Sequence, residues 1–176
     1  LHVTCEVIHK GLDSPLYYHA MRLVRLYQFL EDRTLWMVDA DALVNANPAI
    51  LHERLRGDVG IRVRPGRTQP WNCFSAALVA ATPRSKEYFR LVAAYLVHFI
   101  AQGQFTWGMD QMALYGVYQY LPRKPALTLW GPADFDVNTC RADAPFWFTA
   151  GAFKKEYAAG TATPPAAQEK YWSLFR

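Results

Sequence analysis

The chain has 176 residues, 52% of them apolar, 15% aromatic and 19% charged, enough to bury the core of one domain and far from the composition of a disordered polypeptide. Its net charge of +4 suits an anionic small substrate or an anionic membrane surface. Without an RNA-binding aromatic motif or a basic zipper helix, nucleic acid is not an expected partner.

The three cysteines, Cys5, Cys73 and Cys140, are too widely spaced for a disulfide framework or a zinc knuckle, so a reducing compartment is expected. The expected location is cytoplasmic, with contact at a membrane surface as a variant. The chain starts at Leu1 with neither an initiator Met nor a signal-like basic stretch, as a piece of a longer protein would.

In chain order, Val3 to Ile8 reads as a short strand. Tyr17, Ala20, Met21, Val24, Tyr27 and Leu30 fall at helical spacing and predict a helix over 16–31 that carries Arg22 and Arg25. Leu35 to Val38 is an unbroken apolar run, predicting a buried strand of a parallel sheet. Asn47-Pro48 starts a short helix through Leu55, closed by Gly57.

Val59 to Val63 alternates weakly as a strand, with Arg62, Arg64 and Arg67 on it and on the turn beyond. Cys73 to Ala81 predicts a second buried strand. Thr82-Pro83 then opens a long helix whose apolar face is Phe89, Val92, Ala93, Leu96, Phe99 and Ile100, ended by Gly103. The most apolar part of that helix, Leu91 to Ala101, is too short to cross a bilayer, so no transmembrane segment is expected.

A further helix spans Trp107 to Tyr120, and Leu127 to Trp130, Asp134 to Val137 and Phe146 to Thr149 read as short strands. The Thr-Ala-Thr-Pro-Pro stretch after Gly160 interrupts regular structure before a Tyr-Trp-rich end. The expected architecture is one α/β domain over 1–176, a mixed sheet flanked by helices, with a core of about 16–155 and a tail of 156–176.

Chemistry concentrates first at Asp39 and Asp41, which follow the apolar run 35–38. Ligands bind at the carboxyl ends of strands in open α/β sheets. Carboxylates at i and i+2 of an extended segment point to one side, so the pair can share a cation. Hard oxygen ligands with open positions suit Mg²⁺ or Mn²⁺ carrying substrate phosphate. The plain alternative is two acidic residues punctuating a strand end.

Four further features follow in order: Arg22 on the preceding helix, Ser75 in the strand Phe74 to Leu78, Asp110-Gln111 at a helix start, and Gly151 with Lys154 in Gly-x-x-Lys spacing. Over about 16–155 this arrangement resembles nucleotide-sugar glycosyltransferases of the GT-A fold, the retaining group that includes glycogenin and the bacterial lipopolysaccharide galactosyltransferases. The resemblance implies a GT-A-like, Rossmann-like sheet that lacks part of its N-terminal nucleotide-binding half.

It also implies transfer of a hexose, with retention, from a nucleotide diphosphate sugar to a glycan, lipid or protein acceptor, a UDP-sugar being the first donor to test. Asp39 and Asp41 would hold Mn²⁺ or Mg²⁺. Arg22, Asp39, Ser75, Gly151 and Lys154 would contact the donor, and Asp110 and Gln111 would flank the reacting carbon.

The chain departs from that pattern in three places. Phe148 stands where the family has a metal-binding His, with Asp143 the nearest substitute carboxylate. Ser75 and Ala77 replace the family's Asn and Gly, and the stretch before Asp39 abbreviates the base-binding wall.

Two other readings share the acidic pair. A haloacid dehalogenase-type phosphatase or phosphotransferase would use Asp39 as phosphoryl acceptor and Asp41 as acid/base, although Leu43 and the lack of a later Asp-Asp pair depart from it. A degenerate, non-catalytic module would bind a partner or glycan.

Elsewhere, Arg54, Arg56, Arg62, Arg64 and Arg67 read as a solvated face, with guidance of an anionic acceptor or lipid headgroup as the second reading. Arg25 and the pair Lys154-Lys155 read as exposed charges. Histidines 2, 9, 19, 52 and 98 read as structural, and Trp130 and Trp147 as core or rim. Trp107 is kept as a stacking platform for an acceptor.

Overall fold

The computed structural model describes residues 15–64, 67, 69–104, 106–137 and 141–148. The expected strand at Val3 to Ile8, the Gly151 and Lys154 positions and the tail lie outside them. The elements are α1 (Pro15–Phe29), β1 (Leu35–Val38), β2 (Leu43–Val44), α2 (Ala49–Arg54), β3 (Val59–Val63), β4 (Phe74–Ala81), α3 (Lys86–Ala101), α4 (Met109–Tyr120), β5 (Leu127–Trp130), β6 (Phe135–Val137) and β7 (Phe146–Phe148). The result is an α/β fold of two mixed sheets with flanking helices.

Apolar spacing on the helices sets the larger core. Helix α1 buries Ala20, Leu23, Val24 and Leu26 against α3 and α4, and Leu30 follows them into the same core. Tyr17 is only half-buried, and Met21 and Tyr27 sit at the margin, so the buried stripe lies to one side of the expected one. Packing against two helices at once rotates and widens the face that must be apolar.

Helix α3 buries the expected Phe89, Val92, Ala93 and Leu96, and adds Tyr88. The Tyr88 hydroxyl donates to the Leu114 carbonyl at 2.6 Å, tying α3 to α4. Burial pushes its pKa well above the usual phenol value.

The main sheet has the order β1-β4-β3-β5. All eight residues of β4 are buried, because strands pair on both its edges and both faces are covered. It runs antiparallel to β1 and to β3, while β3 and β5 are parallel. The parallel sheet expected for Leu35 to Val38 is therefore corrected: β1 is half-buried and, among the described residues, pairs only with β4. An apolar run does not encode strand direction, since a half-covered strand can carry one too.

The register between β3 and β4 breaks at Ile61/Arg62, where Ile61 faces Val79 but Arg62 faces Ser75. Extra β4 residues bulge out opposite that step, and bulges bend the strand and re-aim its side chains. The Ser75 hydroxyl accepts the Ala77 N–H at 3.3 Å inside the bulge.

A second, three-stranded sheet, β2-β7-β6, joins α2 over the other side of the fold. Leu51, Leu78, Ala80, Trp130, Phe135 and Phe146 form that core. Trp130 stacks on Trp36 with ring centroids 5.1 Å apart.

Asn47 starts α2 as its sequence suggests, accepting the Ala49 N–H at 3.0 Å. Gly57 does not cap that helix: Leu55 does, and a side chain at Gly57 would run into the Ala126 carbonyl. Cys73 ends a 3-10 turn, so the buried strand begins at Phe74. Among the described residues no helix is long and apolar enough to cross a membrane.

Candidate functional site

Strands β1 and β3 run in one direction because each is antiparallel to β4, so their carboxyl ends lie at the same edge of the sheet. There they meet α1 and the start of α4 around a cavity of about 1240 Å³. Ser75, Ala76 and Ala77, all small, line it where the bulge opens β4.

Asp39 and Asp41 both line this cavity. The ladder to β4 runs one step past β1, with the Asp39 N–H donating to the Ala77 carbonyl at 2.9 Å, and the Asp39 carbonyl then accepts the Ala42 N–H at 3.0 Å. That bond closes a turn over 39–42. The two carboxylates therefore stand on a turn rather than along an extended segment, and the backbone reversal is what brings both to the cavity.

Arg22 joins the acidic pair to the distant Asp110. Its guanidinium donates to Asp39 Oδ1 through one nitrogen and to Asp110 Oδ2 at 3.1 Å through the other. Its Nε donates to the His19 carbonyl at 3.2 Å, which fixes the fork against α1. Burial alone would lower the Arg22 pKa, but the two carboxylates outweigh it and raise the value.

Asp110 is only 6% exposed, and its Oδ1 also accepts the Gln111 N–H at 2.8 Å. A charge buried this way persists only with such partners. Helix α4 can begin at this point because Gly108 adopts φ +84°, a left-handed conformation suited to glycine.

Three more arginines line the cavity: Arg62, Arg64 and Arg67. The expected place on a solvated face is thereby corrected for Arg62 and Arg64, which are part-buried, and holds for Arg67, which is exposed. Arg62 points to the same side of β3 as Gly60, where it donates to Ser75 Oγ at 3.3 Å and to the Phe135 carbonyl at 3.4 Å and stacks over the Phe135 ring at 5.1 Å. Burial first, then repulsion from Arg64, pushes its pKa down to about 10.

Arg64 donates to the Asn72 carbonyl at 2.9 Å and to the Gln111 side-chain oxygen, so the end of β3 holds the start of α4. Burial and Arg67 lower its pKa as well. Arg67 is exposed at the rim. Arg54, by contrast, pairs with Asp134 at 2.9 Å and, like Arg56, stays exposed, as expected of a solvated face.

Trp107, 69% exposed, stands at the cavity edge with His19 packed edge-on at 5.0 Å, which gives His19 a place in the site that its sequence context did not signal. Trp130 and Trp147 are buried as expected. Phe148 lines the cavity. Asp143 does not line it: the carboxylate is exposed and pairs with Arg141 at 2.9 Å, whose hydrogen bond lowers its pKa.

Among the described residues no three His, Cys, Asp or Glu side chains gather as a metal cage. The donor set of Asp39 and Asp41 fits a hard divalent cation that takes its remaining oxygens from substrate and water. Arg22 occupies Oδ1 of Asp39 and so holds that carboxylate in one orientation.

Six of the eight residues expected in the site, Arg22, Asp39, Asp41, Ser75, Asp110 and Gln111, meet in this cavity; Gly151 and Lys154 lie outside the described residues. No protein-family model matches this chain, and no curated protein matches it.

Proposed function

We propose that this cavity transfers a hexose from a nucleotide diphosphate sugar to an acceptor hydroxyl, on a GT-A-like scaffold and with retention at the anomeric carbon. The observation that supports it most is the meeting of Asp39, Asp41, Asp110 and Gln111, drawn from two distant parts of the chain, around one cavity with Arg22 between them. Asp39 and Asp41 would hold Mn²⁺ or Mg²⁺, which would supply charge neutralisation for the departing diphosphate.

The chain's own residues do the rest. The bond from the anomeric carbon to the diphosphate breaks as a bond to the acceptor oxygen forms, and the acceptor proton passes to the departing diphosphate oxygen. Positive charge develops at that carbon, where the Asp110 carboxylate and the Gln111 amide stabilise it more than the ground state. Arg22 holds Asp39 and Asp110 in register, and Arg64 fixes the Gln111 side chain.

A calorimetric titration of the full chain with UDP-sugars decides the matter: binding that requires Mn²⁺ and disappears in Asp41→Ala is expected. No metal-dependent binding of any nucleotide sugar overturns the reading.

A second reading rests on Phe148, whose apolar ring faces the cavity where the resembled family has a metal-binding His. In that case the fold binds a nucleotide sugar or glycan without turnover, and Asp41→Ala leaves biological activity unchanged.

A further inference from the structure

The acidic pair and the arginines occupy different ends of one chain of contacts. It runs from Asp39 through Arg22 to Asp110, passes to the adjacent Gln111, and ends at Arg64, which neighbours Arg67. Strand order separates the two ends as well, since β4 lies between β1 and β3, a spacing of about 10 Å across two strand intervals. The metal-binding carboxylates and the arginines thus stand on opposite flanks of Asp110 and Gln111.

Charge on the arginine flank meets carboxylates only at a distance, Asp39 and Asp136 acting on Arg62 and Asp110 on Arg64, without a direct ion pair. Of the ion pairs among the described residues, none involves Arg62, Arg64 or Arg67. Arg62 is held by a hydroxyl, a carbonyl and an aromatic face, and Arg64 by two carbonyls and an amide. Burial first, and then repulsion from a neighbouring arginine, lowers the pKa of Arg62 and of Arg64. Planar guanidinium groups with spare N–H donors bind oxyanions strongly.

We infer that Arg62, Arg64 and Arg67 form an oxyanion subsite, separate from the diphosphate position at Asp39 and Asp41, which takes a phosphate or carboxylate carried by the second substrate. The assignment of that oxyanion to an acceptor rests on the transferase reading; the subsite itself rests on the arginines. An anionic acceptor held there enters past Gln111, with the exposed Trp107 ring at the same cavity edge.

Inorganic phosphate is the probe, titrated into the full chain without metal and followed by calorimetry. Saturable binding is expected, weakened about tenfold by Arg67→Gln and unchanged by Arg56→Gln, which removes an exposed charge away from the cavity. Arg67 is exposed at the rim, so its replacement leaves the fold intact, and circular dichroism confirms it. Absence of phosphate binding, or equal loss in Arg56→Gln, overturns the subsite.

A second titration is made with UDP and Mn²⁺ at saturation. Undiminished phosphate affinity supports two separate anion positions, whereas competitive displacement assigns the arginines to the donor diphosphate and overturns the proposal. Phosphate binding with no binding of UDP and Mn²⁺ keeps the subsite and removes the transferase reading alone.

Discussion

Arg22 ties together two carboxylates that are 71 positions apart in the chain, Asp39 and Asp110. Their side chains are 16% and 7% exposed, so removal of the guanidinium leaves Asp110 charged in a poorly solvated place. Breaking such a pair by deleting one partner costs more than the pair contributes as a whole. Arg22→Met is therefore expected to lower unfolding stability by about 2–4 kcal/mol, read from urea denaturation, with Arg22→Met/Asp110→Asn recovering part of the loss. A change below about 0.5 kcal/mol, the range of ordinary surface substitutions, means that the bridge is not a structural element. The legible part at this scale was residue type: an Asp-x-Asp pair, an Asp-Gln dyad and an upstream Arg. Arg62 and Arg64 read as solvated because charge on a weakly alternating strand looks exposed, and which face of β3 the rest of the chain covers is a tertiary fact that the local sequence does not carry.

Most elements were readable from pattern. Helices α3 and α4 and strands β3, β4 and β5 fall where periodicity and the Thr82-Pro83 and Gly103 signals put them. What periodicity did not reveal was direction and close approach. Strand β1 is antiparallel to its neighbour because of where the chain returns, a tertiary fact. Gly57 read as a helix stop, yet its need is steric.

Gly60 makes the same point: a methyl group there would collide with the indole of Trp130, which is fully buried and cannot swing away. Gly60→Ala should destabilise by about 2–3 kcal/mol through overpacking. In a Trp130→Leu background, itself costly, the added penalty should largely vanish, since contacting residues are not additive. A full penalty in both backgrounds, measured by chemical denaturation, would place the strain elsewhere.

At the scale of the whole molecule, two cores back the main sheet, one under α1, α3 and α4 and one under α2 and the small sheet. The cavity lies at the sheet edge where the strands supplying its acidic and basic flanks end. The β4 register is continuous on one side and interrupted on the other. Toward β1 the pairing runs in step from Ala81 to Leu78 and on to the Asp39–Ala77 bond, whereas toward β3 it breaks at Ile61/Arg62. The two flanks of the cavity therefore differ in how they are paired: the acidic flank is joined to β4 in step, whereas on the basic flank the ladder to β4 is interrupted and β5 pairs the other edge of β3. Hydrogen–deuterium exchange should show the Arg62–Arg64 segment opening faster than Trp36–Asp39, with the difference shrinking when phosphate is added. Equal protection on the two flanks would mean that the interrupted ladder is no hinge. Building the two walls on differently paired strands lets one keep a charged group in fixed register while a bulge shapes the other, so that each can vary without disturbing its opposite.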